Sequence, residues 1–146
     1  MSLDPPKFQP HGASRFERRG QVLILRSEGP FNAEHIQSLA PAFREFGADL
    51  QRGGPWATIN VISASMMVTP EGLAMLRASA QWTHDQLGRV AAAYVAMPGA
   101  EGRLIMEAGI RASCVGIMPL EIFDDVESAE AWALERVAEA RRPGSD

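Results

Sequence analysis

The chain has 146 residues, a formal net charge of −4 and an isoelectric point of about 5.4, and 46% of its residues are hydrophobic. A chain of this length and composition can bury a core as one globular domain without metals or disulfides. Its mild acidity argues against the basic surface expected of a protein that binds duplex nucleic acid or anionic lipid. A single cysteine excludes an internal disulfide, and no apolar run is long enough to span a membrane. We therefore predict one cytoplasmic domain that has no nucleic-acid partner and does not insert into a membrane.

The chain begins with an arm and a hairpin. Residues 1–14 contain three prolines and no periodic pattern, so we predict a flexible arm. Residues 16–19 and 22–26 flank Gly20, which can supply the positive φ of a tight turn, and this pattern predicts a β-hairpin. Residues 22–25 are apolar at every position, which is typical of a strand that is covered on both faces.

A helix and a strand follow the hairpin. Asn32 is a candidate N-cap, and apolar residues recur at helical spacing over residues 36–50. Pro41 interrupts this stretch, but the apolar phase continues across it, so we predict one kinked helix. After a Gly-Gly-Pro turn, residues 56–62 predict a buried strand.

The segment "TPEGLAML" carries a strong signal for the start of the next helix. Thr69 is expected as the N-cap, Pro70 at the first helical position and Glu71 in the first turn. Met75 and Trp82 fall beside the buried stripe of this helix and widen its apolar surface. That width indicates contact with a second element or a second subunit.

Two further strand–helix units complete the chain. Residues 90–96 predict a buried strand, and residues 100–112 predict a helix with Leu104 and Ile105 among its inward-facing side chains. The final strand is expected at residues 120–123. It leads into a helix in which Asp125 is the N-cap and Trp132 faces the core.

Strands that alternate with helices favour parallel neighbours, because parallel strands need crossover connections. The predicted fold class is therefore α/β, with a mixed, mainly parallel sheet of four to five strands and about four helices. We predict a single domain over residues 15–140, followed by a frayed tail at residues 141–146.

Few residues offer chemistry. The three histidines, His11, His35 and His84, are far apart in sequence, so only spatial convergence would make them a metal site. Cys114 is expected near a helix end as a core residue, not as a reactive thiol. We predict no catalytic residue, no metal and no cofactor.

Two charged positions have two interpretations each. Asp124 and Asp125 follow a strand, where a pair of carboxylates could hold a hard cation, although capping by Asp125 already explains half of the pair. Arg103 lies near a helix start after a short Gly-containing turn, where it is either an ordinary helix-start residue or a contact for an anion.

Three segments in this order resemble SpoIIAA-like, STAS-type domains, including the small bacterial group called STAS/SEC14-like. They are "VLILRSEGPFNAEHI", "TPEGLAML" and "EIFDDVESAEAWAL", and the resemblance covers approximately residues 16–137. It implies a SpoIIAA-like sheet with packed helices, related to anti-sigma-factor antagonists and to lipid-carrying CRAL-TRIO domains.

The resemblance also implies a switch loop, which is altered here. In the antagonists this loop carries Asp-Ser-Ser-Gly, and phosphorylation of a serine breaks partner binding. The matching positions are residues 69–72, and Pro70 replaces the serine that would be phosphorylated. Glu71 adds a negative charge at the helix start, as an ordinary first-turn residue or as a mimic of the modified state. The residues of the switch-equivalent loop are Ser63, Ser65, Thr69, Pro70, Glu71 and Gly72.

Two functions remain open from the sequence. The first is a non-enzymatic STAS-like regulatory domain that binds its partner through the switch-equivalent loop together with Met75 and Trp82. The partner is either another protein or a second copy of the chain in a homodimer. The second is a carrier or sensor of a small apolar or lipid-like ligand, suggested by seven methionines and by the lipid-binding relatives. A closed cavity of several hundred Å³ would favour the carrier.

Overall fold

The computed structural model describes residues 12–142; the predicted arm and tail lie largely outside this range. The chain forms five strands and five helices between these limits, in an alternating order that follows the prediction. In chain order they are β1 (Ala13–Arg19), β2 (Val22–Glu28), α1 (Ala33–Ser38), α2 (Ala40–Arg52), β3 (Trp56–Ser63), α3 (Pro70–Leu87), β4 (Arg89–Ala96), α4 (Arg103–Ala112), β5 (Leu120–Phe123) and α5 (Val126–Arg141).

The five strands form one mixed sheet in the order β1-β2-β3-β4-β5. β1 pairs with β2 as the predicted antiparallel hairpin, and Gly20 takes the positive φ of 58° in its turn. The pairs β2–β3, β3–β4 and β4–β5 are all parallel. The expected α/β fold with a mainly parallel sheet is therefore confirmed.

One face of the sheet is covered by α5, and the helix packs closely because the contact is made of small residues. Ala129 and Ala133 of α5 are completely buried, as are Ala91 and Ala93 of β4 beneath them. Small side chains on both sides let the helix backbone approach the sheet. Trp132 lies at the border of this layer, half-buried, with its ring 5.8 Å from that of Phe123.

The opposite face is covered by α1 to α4, and its largest completely buried side chain is Trp56 at the start of β3. The indole Nε1 of Trp56 donates a hydrogen bond of 2.6 Å to the carbonyl oxygen of Leu87. This bond satisfies the one polar group of the ring, so the whole side chain can be buried without an unpaired donor. It also fixes the C-terminal end of α3 to the sheet. Cys114 is buried on this side, as expected.

The structure corrects the prediction of one kinked helix over residues 32–50. A break at Leu39 separates α1 from α2, and Pro41 lies in the first turn of α2. A proline is tolerated in the first turn of a helix because its missing N–H would have had no intrahelical partner. Pro41 is therefore accommodated at the start of a new helix instead of at a kink within one helix.

The second correction concerns α4. Leu104 and Ile105 were expected to face inward, but their exposed fractions are 88% and 74%. The buried residues of this helix are Met106 and Ile110.

None of the helices within residues 12–142 is long and apolar enough to cross a bilayer.

Candidate functional site

Three loops that leave β2, β3 and β4 lie side by side at the carboxyl edge of the sheet. Hydrogen bonds join the first loop to the second, from Gly29 N to Ser63 O (3.2 Å) and from Phe31 N to Met67 O (2.9 Å). The second and third loops are joined from Met66 N to the carbonyl oxygen of Glu101 at 2.7 Å. We call residues 29–32, 63–69 and 97–102 the carboxyl-edge platform. Loops at this edge of parallel sheets commonly form binding sites.

Glycines let the loops of the platform approach one another. A Cβ on Gly29 would collide with the backbone carbonyl of Ser65, so only glycine permits this close approach. A Cβ on Gly102 would meet the side chain of Met67, and Gly102 has a positive φ of 82°. The platform is thus a tightly packed unit that contains three of the six residues of the switch-equivalent loop, Ser63, Ser65 and Thr69.

Ala64 is in a left-handed conformation at the centre of this unit, with a φ of 66°. Such a backbone costs an L-residue with a side chain about 1–2 kcal/mol relative to its relaxed state. The neighbouring loop holds the conformation in place, because Glu101 N donates to the Ala64 carbonyl at 3.1 Å. Backbone strain of this kind is often found at binding sites and switches.

The strain predicts opposite effects for two alanine-to-glycine changes. We expect Ala64→Gly to raise the free energy of unfolding by about 0.5–1 kcal/mol, because the relief of strain exceeds the extra chain entropy of glycine. Ala48→Gly, at an exposed position inside α2, should lower it by about 1 kcal/mol. Urea denaturation of the two variants measures both values. A similar loss of stability in both would show that Ala64 is unstrained.

The hydroxyl groups of the switch-equivalent loop are all engaged in local contacts. Ser65 is buried, and its Oγ accepts a hydrogen bond of 3.1 Å from Met67 N. Thr69 Oγ1 accepts from Gly72 N at 3.0 Å, so Thr69 is the N-cap of α3, as expected. Half-buried Ser63 donates to the carbonyl of Ser27 at 3.4 Å. Each of the three hydroxyl groups therefore has a structural role in a local hydrogen bond.

The other residues of this loop complete the start of α3. Pro70 occupies the first turn, where the helix needs no N–H from it. Glu71 is exposed in the same turn, where its negative charge faces the positive end of the helix dipole. Gly72 is buried, and a Cβ there would press on the side chain of Val68.

Four large apolar side chains on the platform and directly after it are exposed to solvent. Met67 and Met97 belong to it and have exposed fractions of 38% and 37%. Leu104 and Ile105 follow it directly, in the first turn of α4, and are far more exposed. We call these four residues the apolar rim. A group of exposed large apolar side chains indicates an interaction site.

Met75 and Trp82 are predicted from the sequence to lie in an interface, but they are less exposed to solvent than the apolar rim. Both are half-buried and pack against the core, and the Arg44 guanidinium lies 5.5 Å from the centre of the Trp82 ring. Their role in an interface stays a prediction. The apolar rim was missed because Leu104 and Ile105 were assigned to the core.

Arg103 is held by two carboxylates. Its guanidinium bonds Asp124 and, at 3.3 Å, Glu107. The hydrogen bond that Arg103 donates to Asp124 is the main cause that raises the pKa of Arg103. An anion would have to compete with both carboxylates, and the anion contact stays a prediction.

Asp125 caps α5 by accepting a 2.7 Å hydrogen bond from Ser128 N, which lowers the pKa of the Asp125 carboxyl.

A partly buried polar contact links β1 to α1. Ser14 Oγ lies 2.9 Å from His35 Nε2 and 2.6 Å from Ser27 Oγ. Burial lowers the pKa of His35, which favours the neutral ring. These three side chains line one end of an apolar cavity of about 50 Å³ between the helices and the sheet.

A large groove lies at the opposite, amino edge of the sheet. It has a volume of about 810 Å³, is open to solvent, and is lined in part by His84, whose Nδ1 is 2.7 Å from the carbonyl of Arg89. His35 and His84 line different cavities and are not brought together. Among residues 12–142, no three His, Cys, Asp or Glu side chains converge as a metal-binding group. His11 lies outside the described residues.

A solved structure with a comparable arrangement is an uncharacterized protein of the DUF3478 family from Shewanella loihica, which has a SpoIIAA-like fold. It matches with a TM-score of 0.51 and 12% sequence identity, over 89% of this chain and 99% of that one. The fold of the chain is SpoIIAA-like. The resemblance noted in the sequence is therefore confirmed at the level of the fold.

A second solved structure is an anti-sigma factor antagonist from Mycobacterium paratuberculosis. It has 19% identity and a TM-score of 0.48, over 84% of this chain and 94% of that one. At this similarity it supports no conclusion about the present chain. No protein-family model and no curated protein matches the sequence.

Proposed function

We propose that this SpoIIAA-like domain is a non-enzymatic regulatory module that binds another protein through the apolar rim and the carboxyl-edge platform. The observation that carries the proposal is the 88% exposure of Leu104 and 74% exposure of Ile105 beside a rigid set of loops. Such side chains gain about 25 cal/mol per Å² of apolar surface when a partner covers them. A preformed platform lowers the entropy lost on binding, because its loops are already ordered.

The contact surface is proposed to work without the usual serine switch. Pro70 has no hydroxyl at the matching position, and Ser63, Ser65 and Thr69 use their hydroxyls in local hydrogen bonds. Phosphorylation of buried Ser65 would require the platform to open. Exposed Glu71 supplies a permanent negative charge at the helix start, so the binding state of the module is not set by a kinase.

A hydrolytic role has less support from the geometry. Ser14 and His35 make the type of hydrogen bond seen between a nucleophile and its base. However, Ser14 Oγ is shared with Ser27, and within residues 12–142 no carboxylate orients the other nitrogen of His35. The bond is better explained as a structural contact between β1 and α1.

A carrier of a lipid-sized molecule is not supported by the internal space. The two cavities between the helices and the sheet have volumes of about 50 and 40 Å³, and no methionine lines either of them. A ligand pocket for a molecule of drug or lipid size has several hundred Å³. Buried Met66, Met106 and Met118 instead fill the core.

Site-specific photocrosslinking in the host cell tests the proposed function. A photoreactive amino acid at Leu104 should capture one protein, whereas the same group at Leu134, a half-exposed residue of α5, should not. A product of twice the mass of the chain would identify the partner as a second copy. Capture at Leu134 with none at Leu104 would refute the proposed surface.

A further inference from the structure

A buried arginine without an acidic partner lies between the sheet and α3. Arg89, the first residue of β4, is 5% exposed. Its Nη2 donates to Thr58 Oγ1 at 2.6 Å, and its Nη1 donates to Thr83 Oγ1 at 3.3 Å. Its Nε is buried with no hydrogen-bond partner, and within residues 12–142 no Asp or Glu forms an ion pair with it.

The surroundings of Arg89 leave its charge poorly compensated. An unpaired ion in a protein interior is expensive, and buried cations are normally paired with an acid. Thr58 and Thr83 are neutral, and the Phe43 ring, 5.9 Å from the guanidinium, offers only a weak cation–π contact. Burial lowers the pKa of Arg89, while Cys114 and Tyr94 act in the opposite direction. An anion at this place would remove the imbalance.

A cavity lies beside this guanidinium. Arg89, Tyr94, Ser113 and Cys114 contribute to the walls of the 40 Å³ cavity. The neighbouring 50 Å³ cavity shares part of these walls, including Tyr94 and Asn60, and extends between apolar side chains such as Ile62 and Val68. Apolar side chains form most of the walls of the combined space. Its polar lining includes Arg89 in the first cavity and Ser14, Ser27 and His35 in the second.

We propose that these adjoining cavities bind a short-chain monocarboxylate, with its carboxylate on Arg89 and its alkyl end in the apolar cavity. The guanidinium has five N–H donors, of which two are used by the threonines, and the unpaired Nε–H has an Nη–H beside it. Two parallel donors match the two oxygens of a carboxylate. The small volumes limit the ligand to a few carbon atoms. The site goes beyond the protein contact proposed above, since it lies inside the domain.

Thermal unfolding of the full chain in a buffer with a bulky anion tests this site, with sodium butyrate, sodium acetate and sodium chloride added at equal ionic strength. We expect butyrate to raise the melting temperature by several degrees in a saturable manner, because it binds only the folded state. Chloride should have a much smaller effect, since it has no carboxylate oxygens and no alkyl chain.

Two arginine variants make the test specific. Arg89→Met removes the buried charge but keeps an unbranched apolar side chain that fills much of the same space, so it should fold and lose the butyrate-dependent rise. Arg44→Met, at an exposed arginine of α2, should keep the rise. If Arg89→Met fails to fold, methyl NMR of the wild-type chain replaces it, and butyrate should shift the signals of Ile36 and Leu76, which line both cavities.

Three results would overturn the proposal. They are the same rise in Arg89→Met as in the wild type, an equal rise with chloride, and the lack of any shift of the Ile36 and Leu76 methyl signals at saturating butyrate. The chain is tested without its protein partner, so these outcomes are independent of the proposed regulatory contact.

Discussion

Leu104→Glu is expected to weaken binding of the partner protein by about 30-fold. This factor corresponds to about 2 kcal/mol, the usual loss when a central side chain of an interface is removed. A carboxylate at this place would also have to be desolvated on binding, without a designed partner for its charge. Once photocrosslinking has identified the partner, isothermal titration calorimetry with the purified partner gives the dissociation constant. Ile105→Glu should have a similar effect.

The matched control is Leu134→Glu, the same change at an exposed position of another helix. Leu134 is 48% exposed on α5, which covers the opposite face of the sheet. It should leave the dissociation constant unchanged, and both variants should keep the stability of the wild type within about 0.5 kcal/mol. Equal weakening in Leu104→Glu and Leu134→Glu would mean that added charge, and not the apolar rim, controls binding.

Trp56→Ala is expected to lower the free energy of unfolding by about 3–5 kcal/mol, because a large, completely buried ring is lost and a cavity remains. The change also removes the hydrogen bond to the Leu87 carbonyl that fixes the end of α3. For a domain of ordinary stability this is a large fraction of the total.

Trp132→Ala is the natural comparison for Trp56→Ala. The Trp132 ring is half-buried against Phe123, with Arg136 stacked 5.5 Å from its centre, so its loss should cost only about 1–2 kcal/mol. Guanidinium denaturation followed by far-UV circular dichroism measures both variants without depending on the tryptophan signal. A greater loss for Trp132→Ala would show that the C-terminal layer, not β3, holds the core together.

The elements that were predicted well are those fixed by local chemistry. Thr69 and Asp125 cap their helices as expected, and Gly20 makes the hairpin turn, because each requirement is met within a few neighbouring residues. The β4 strand was also predicted well, because its residues are mainly apolar and nearly all of them are buried. Alternation of the elements then determined the mainly parallel sheet.

The features that were missed depend on which surface a helix meets. In α4 the apolar positions 104, 105, 108 and 112 repeat at helical spacing. A second set at helical spacing consists of Met106 and Ile110 and continues after the helix with buried Ser113 and Cys114. Periodicity alone cannot choose between two such stripes. The placement of α4 against α3 and β5 buries the second stripe, and Leu104 and Ile105 of the first stripe become part of the apolar rim.

Arg89 was missed for a related reason. In the sequence it is an ordinary charged residue at the beginning of a strand, where solvent exposure is the usual outcome. Only the packing of Phe43 and the threonines around it shows that it is buried without an acid. Sequence patterns carry no information about such long-range neighbours.

Hydrogen exchange of the chain with and without its partner locates the surface that the partner covers. We predict that binding protects amides in residues 63–69 and 97–105, which cover much of the platform and the start of α4, while exchange in α5 is unchanged. Protection confined to α5 or to the amino edge of the sheet, with none in those two segments, would mean that the partner does not bind at the carboxyl-edge platform.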